Sequence, residues 1–192
     1  WEKTYEYSRD LKPTIRIYDD IFIDILFYNN IHNKIKFLTK KNLILANITL
    51  RVATPGGKYL SWHRDRYFYG SQGFKIFYYP EFKQESQHVI SIVKGTKKNV
   101  PLILNKFQQT TQRSLNLLDR IRNKVIKINS SDNLYHFVDT SVQHAPAPVA
   151  QDKESIRLIY FFCQKHQLGR FPQSFDKETI DIYQDKLNSF EN

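Results

Sequence analysis

One short motif in the sequence carries two residue types that bind metals. His63 and Asp65 stand two positions apart, after the segment Tyr59-Leu60-Ser61-Trp62. Side chains two positions apart in an extended segment point to the same side, so an imidazole and a carboxylate would lie next to each other. They are two of the three ligands of a 2-His-1-carboxylate facial triad, which holds Fe(II) and leaves positions open for oxygen chemistry. We therefore predict His63 and Asp65 as metal ligands.

A second histidine is needed to complete such a triad, and the chain offers four downstream of the motif. His144 fits best, because it follows a predicted strand over 134–138 and precedes the loop Ala145-Pro146-Ala147-Pro148. A ligand at a strand end before a rigid loop is held firmly while it stays accessible. We predict His144 as the third ligand and interpret the other three as structural or exposed: His88, His136 and His166.

Arg157 is the candidate for binding an acidic co-substrate. It interrupts an apolar strand, where Arg is usually excluded unless it is paired. An inward-facing Arg can grip a carboxylate through two parallel hydrogen bonds, and 2-oxoglutarate is an acid whose other end chelates the metal. A structural ion pair of Arg157 with Asp139 or Glu154 is the alternative, and Lys153 is a competing anchor.

Three further residues are weaker candidates for the same site. Lys75 and Arg51 lie within strand patterns, where they would meet 2-oxoglutarate or substrate, or would face solvent instead. Tyr59 precedes His63 by four positions and would line the site on the same face. Arg64 lies between the two predicted ligands, so we expect it to point away and leave it out of the site.

Helices and strands that would position these residues follow from hydrophobic spacing. Apolar residues at three- and four-residue intervals over 19–40 predict one or two helices, interrupted near Asn29-Asn30. Period-two alternation and β-rich composition predict strands over 43–52, 73–79, 89–93, 125–128, 134–138 and 156–163. In the last of these, Arg157 shares a face with Ile159 and Phe161. Two further helices are predicted, over 101–121 and over 176–190.

The order of these elements indicates the fold class. Helices gather near the start and many short strands follow, without the regular alternation of a parallel α/β fold. We predict a mainly β protein with flanking helices: an antiparallel two-sheet jelly roll, preceded by N-terminal helices. At 192 residues, a single domain over 1–192 is expected, with its β core at about 43–163.

Composition limits the partners and the compartment. No apolar run approaches the ~20 residues of a membrane helix, and the start of the chain has no signal-peptide pattern. The single Cys163 excludes an internal disulfide and suits a reducing compartment, so we expect a cytoplasmic protein. The net charge of +10 favours an anionic partner, or else reflects a lysine-rich surface, since the lysines are scattered. That scatter argues against nucleic acid as the partner.

From about Leu43 to Phe162, the chain resembles the phytanoyl-CoA dioxygenase-like group of Fe(II)/2-oxoglutarate-dependent oxygenases. The resemblance is carried by Trp62-His63-Arg64-Asp65, the strand over 74–79, Val93-Lys94-Gly95-Thr96-Lys97, His144 and Ser155-Ile156-Arg157-Leu158. The chain departs from the family where Lys94-Gly95-Thr96 replaces a Pro-Gly-Ser-His turn, and at Pro146, where Gly or Ser is frequent. These departures concern the substrate and lid region more than the metal site.

The resemblance implies a double-stranded β-helix, which is the cupin-like jelly roll. It implies Fe(II) held by His63, Asp65 and His144, and 2-oxoglutarate held by Arg157. It also implies a dioxygenase that uses O₂ to hydroxylate a small-molecule substrate, phosphorylated or otherwise anionic, with release of succinate and CO₂. Related halogenases lack the carboxylate, so Asp65 favours hydroxylation. Two alternatives remain: a non-catalytic cupin-like metal-binding module and a basic nucleic-acid-binding domain.

Overall fold

The computed structural model describes twelve stretches of the chain. They are residues 2–4, 14–16, 20–28, 30–53, 62–64, 73–79, 89–95, 117–129, 135–139, 141–146, 155–167 and 176–191. None of the helices within these stretches is both long and apolar enough to cross a membrane.

Two helices lie near the start of the chain, as the sequence predicts. Helix α1 spans Ile21–Tyr28 and helix α2 spans Ile31–Thr39. Asn30 separates them in a left-handed conformation with φ of 54°. Asn tolerates this conformation better than most residues, so it ends the first helix and lets the second begin in a new direction. Residues 117–122 are helical (α3), and α4 spans Lys177–Glu191.

The described strands form two antiparallel sheets. The larger sheet has the order β1-β2-β3-β9-β4-β7, and the smaller sheet has the order β6-β5-β8. The larger sheet consists of β1 Glu2–Thr4, β2 Thr14–Arg16, β3 Leu43–Ala53, β4 Phe74–Tyr78, β7 Tyr135–Asp139 and β9 Ser155–Gln164. The smaller sheet consists of β5 Val89–Val93, β6 Val125–Asn129 and β8 His144–Pro146. A 3₁₀ turn, Lys165–Gln167, follows β9.

The two faces of the larger sheet bury different sets of side chains. On the outer face, Leu158, Tyr160 and Phe162 of β9 pack with apolar residues of α1, α2 and α4, among them Leu26, Ile35 and Tyr183. On the inner face, Ile159 packs with residues of both sheets: Phe77, Tyr79, Val138 and Ile90. The sheets therefore face each other across an apolar interior, which is the predicted jelly roll, and helices cover its outside.

Strand β8 differs from the sequence prediction, which favoured a loop from Ala145 onwards. Ile90, Ser91 and Ile92 of β5 pair with Pro146, Ala145 and His144. Proline cannot donate to a strand ladder, so a segment of three residues that ends in proline gives no strand signal by itself. Pairing with β5 makes this segment a strand, and this contact is distant in sequence.

Candidate metal centre

His63 and His144 are directly paired through their backbones. The His63 N–H donates to the His144 carbonyl at 3.0 Å, and the His144 N–H donates to the His63 carbonyl at 2.9 Å. Two residues that exchange both hydrogen bonds in an antiparallel pair carry their side chains on the same face, with Cα atoms about 5.5 Å apart. The pairing of His63 with β8 thus brings together two imidazoles from distant parts of the chain.

The two imidazole rings lie close together. Their centroids are 4.4 Å apart and their planes are inclined at 54°. Metal–nitrogen bonds of about 2.0–2.1 Å require ligand nitrogens roughly 3 Å apart, which rings at this separation can supply. Ile92, which pairs with His144, packs on the inner core. The imidazoles therefore face the space between the sheets.

His144 is held in one orientation by a backbone carbonyl. Its Nδ1–H donates to the Val142 carbonyl at 2.9 Å, and the residue is only 3% exposed. An imidazole that donates from Nδ1 presents Nε2 as its metal-binding nitrogen, and such a second hydrogen bond is usual for histidine ligands. The chemistry of this donor set fits a divalent transition metal.

The predicted carboxylate ligand, Asp65, lies outside the described residues, as does Tyr59. Within the described stretches, no three His, Cys, Asp or Glu side chains form a group that could hold a metal ion. The described part therefore supplies two of the three predicted ligands, and Asp65 directly follows the stretch 62–64 that places His63.

Arg157 lies on the inner face of β9 and is 5% exposed. Its guanidinium carbon is 5.9 Å from the centroid of the Phe77 ring, which belongs to the inner core. A guanidinium over an aromatic face is attracted by the electron-rich ring, and burial strengthens its electrostatic interaction with a carboxylate. The structure thus places a buried cation in the same interior that the two imidazoles face.

Of the weaker candidates, the structure describes the side chain of Lys75 but only the backbone of Arg51. Lys75 is half-buried on β4, and strand alternation puts it on the same inner face as Phe77. It pairs with Phe161 of β9 and Val138 of β7. Arg51 lies opposite Arg157 in the β3–β9 register, but its side chain is outside the described part.

Two polar residues of this interior were not singled out from the sequence as site residues. His136 is 3% exposed and shares the inner face of β7 with Val138, and its ring meets that of Tyr79 edge-on at 5.3 Å. Alternation along the strand would have predicted the position of His136. Tyr79 is one residue beyond β4, and its inward position follows from the same alternation.

Cys163 also points inward but is unsuited to metal binding. It packs with Ala46 and Phe161, and burial raises the pKa of its thiol to about 12. The thiolate is the form that binds metals, so a thiol protonated at neutral pH makes a poor ligand.

Known proteins resemble this chain in structure rather than in sequence. No protein-family model matches it, and no curated protein sequence is significantly similar. AviO1 from Streptomyces viridochromogenes Tue57 matches with a TM-score of 0.57 and 14% identity, over 86% of this chain and 73% of AviO1. SnoK, a non-heme alpha-ketoglutarate-dependent carbocyclase from nogalamycin biosynthesis, matches with a TM-score of 0.63 and 8% identity, over 83% of this chain and 67% of SnoK.

A third solved structure contains both a metal and 2-oxoglutarate. HygX from Streptomyces hygroscopicus, with nickel and 2-oxoglutarate bound, matches with a TM-score of 0.58 and 10% identity, over 85% of this chain and 74% of HygX. At 8–14% identity, these matches show that the chain shares the fold of these proteins, in agreement with the predicted jelly roll.

Proposed function

We propose that this protein is an Fe(II)- and 2-oxoglutarate-dependent oxygenase. The observation that carries the proposal is the backbone pairing that sets the His63 and His144 imidazoles 4.4 Å apart, facing the interior that buries Arg157. Enzymes of the same fold include one named for its alpha-ketoglutarate dependence and one solved with nickel and 2-oxoglutarate. The motifs around these residues further support membership of the phytanoyl-CoA dioxygenase-like group.

The residues divide into metal ligands and co-substrate ligands. His63, Asp65 and His144 would hold Fe(II), with His144 fixed by its bond to Val142. Arg157 would bind the distal carboxylate of 2-oxoglutarate through paired charge-assisted hydrogen bonds. When bound, Fe(II) with 2-oxoglutarate and O₂ supplies the oxidising power, and 2-oxoglutarate is converted to succinate and CO₂. Lys75, Tyr79 and His136 lie on the same inner face and would add polar groups to this interior.

The net charge of the chain suggests the class of substrate, and the predicted set of metal ligands suggests the type of reaction. If Asp65 binds the metal as the family resemblance implies, it would take the place that a halide needs in related halogenases, which favours hydroxylation of a C–H bond. The net charge of +10 favours an anionic small molecule over a neutral one.

The test measures 2-oxoglutarate binding and turnover in the same set of proteins. Titration calorimetry under anaerobic conditions would follow 2-oxoglutarate binding with and without Fe(II), and succinate would be measured after O₂ is admitted. We expect binding only with metal and slow succinate formation without substrate. His144→Ala should abolish both. Arg157→Ala should weaken 2-oxoglutarate binding at least about tenfold, because hydrogen bonds to charged groups contribute about 1.5–3 kcal/mol.

His166→Ala is the matched control. His166 is exposed on the 3₁₀ turn after β9, so its loss should leave both measurements unchanged. Metal-independent binding of 2-oxoglutarate, or unchanged binding in Arg157→Ala, would contradict the proposal. Metal and 2-oxoglutarate binding with no succinate under any condition would instead support a non-catalytic metal-binding module.

A further inference from the structure

We infer that Arg64 is a positioning residue that aligns the two histidine ligands with each other. The inference rests on the proposed function, because it concerns how His63 and His144 hold a metal. Arg64 follows His63 directly, and it is 6% exposed although its side chain carries a full charge. A buried arginine is costly unless its donors are satisfied, so its partners indicate its role.

The guanidinium of Arg64 joins two other parts of the chain. Its Nε–H donates to the carbonyl of Ser141 at 3.0 Å. Its Nη2 forms an ion pair with Asp119 Oδ2 at 3.2 Å, and the side chains of the pair are 4% and 17% exposed. Arg64 therefore connects the His63 segment both to helix α3 and to the turn that precedes β8.

That turn leads directly to the second ligand. The carboxylate of Asp139 accepts hydrogen bonds from the Ser141 N–H at 3.0 Å and the Ser141 hydroxyl at 2.6 Å. The Val142 N–H donates to the Asp139 carbonyl at 3.1 Å, and the Val142 carbonyl accepts the bond from His144 Nδ1. A continuous set of hydrogen bonds thus runs from Arg64 through the turn to the imidazole of His144.

Helix α3 supports the same segment from a second point. The guanidinium carbon of Arg120 lies 5.6 Å from the centroid of the Trp62 ring. Asp119 and Arg120 of this helix therefore contact the residues on both sides of His63. The planar fork of arginine reaches a carbonyl and a carboxylate at once, whereas the compact ammonium of lysine cannot reproduce both contacts.

Co(II) binding to the whole 192-residue chain tests this inference without relying on turnover. The variants are Arg64→Ala, Arg64→Lys and Asp119→Asn. The control is Arg122→Ala, because Arg122 is exposed on α3, the helix that carries Asp119. Partners that orient metal ligands typically contribute 10–100-fold in metal affinity. We expect Arg64→Ala to weaken Co(II) binding at least about tenfold and to alter the visible Co(II) spectrum. Arg64→Lys and Asp119→Asn should be intermediate, and Arg122→Ala should match the wild type.

A merely structural role would lower the melting temperature of the apo-protein and leave the Co(II) affinity and spectrum of the folded fraction unchanged. That result would overturn the inference. If Arg64→Ala does not fold, Asp119→Asn decides in the same way. Failure of the proposed function is distinguishable, because the wild type would then bind no Co(II), or His144→Ala would bind it equally well.

Discussion

At the scale of single residues, two buried tyrosines lie on opposite faces of the large sheet. One is on the face of the proposed site and the other is in the core beneath the helices. Tyr79 lies on the inner face of the large sheet and is 1% exposed, while Tyr160 is fully buried on the outer face among helix residues. Tyr79 contacts His136, and it follows the strand that carries Phe77 beneath Arg157. Its hydroxyl is therefore a proposed partner of 2-oxoglutarate.

We expect Tyr79→Phe to weaken metal-dependent 2-oxoglutarate binding by about 2–10-fold, the equivalent of one hydrogen bond of about 0.5–1.5 kcal/mol. Calorimetric titration measures the change. Tyr160→Phe is the matched control, since it removes an equally buried hydroxyl from the other face and should leave binding unchanged. Equal losses in both variants would show that the effect comes through stability and not through the site.

The thiol of Cys163 gives a second prediction at this scale. Burial raises its pKa from 9.0 to about 12, so the native protein holds very little thiolate near neutral pH. We expect a thiol-specific disulfide reagent at pH 8 to react at least about a hundredfold more slowly with the folded protein than with the unfolded protein. Because the chain has one cysteine, the reaction reports on this site alone.

The raised pKa of Cys163 also makes the stability of the protein depend on pH. The folded-state pKa lies above the unfolded value, so this group's contribution is fully present below pH 9 and is lost as the pH rises toward 12. A Cys163→Ala variant should show a shallower loss of stability over that range. Fast labelling of the folded protein at neutral pH would contradict the burial of the thiol.

At the scale of elements, the start of α4 is fixed by one buried carboxylate. Asp176 is 7% exposed, and its Oδ1 accepts the Glu178 N–H at 3.1 Å. Its Oδ2 accepts the Thr179 hydroxyl at 2.8 Å, and its own N–H donates to the Ala46 carbonyl of β3 at 2.9 Å. Asp176 therefore caps the helix and attaches it to the large sheet at the same point.

We expect Asp176→Ala to destabilise the protein by about 1–2 kcal/mol, the usual cost of losing a helix cap. For a chain of this length, the melting temperature should decrease by roughly 2–8 °C. Asp176→Asn retains an acceptor oxygen and should lose much less. Asp181→Ala removes a carboxylate that is exposed on the same helix and serves as the control. A loss in Asp181→Ala as large as in Asp176→Ala would contradict the capping role.

The elements were largely predictable and their contacts were not. Apolar spacing predicts α1, α2 and α4, and alternation predicts the inner and outer faces of β9, because both patterns are local. The backbone pairing of His63 with His144 joins segments that are distant in sequence. The residue types predict that both histidines bind one metal, but no local pattern predicts the pairing itself. For Arg64, the sequence predicts only that the side chain points away from the site, because its partners Asp119 and Ser141 are also distant in sequence.

At the scale of the whole molecule, the proposed site joins the two sheets. His144 belongs to the small sheet and is paired with His63, whereas Arg157 belongs to the large sheet. A metal held by the histidines and a co-substrate held by Arg157 would therefore link the sheets across the interior. Binding of both should stabilise the fold as a unit, since a ligand that binds only the folded state lowers its free energy.

We expect Co(II) and 2-oxoglutarate, each at about 100 times its Kd, to stabilise the protein by about 2.7 kcal/mol each. Together they should raise the melting temperature by roughly 10–20 °C, about half of it from each ligand. Differential scanning calorimetry measures the change. Arg157→Ala should keep the rise caused by Co(II) and lose the further rise caused by 2-oxoglutarate, while His144→Ala should lose both. If 2-oxoglutarate raises the melting temperature of Arg157→Ala as much as that of the wild type, the co-substrate binds elsewhere. If it raises the melting temperature without metal, its binding does not depend on the histidine pair.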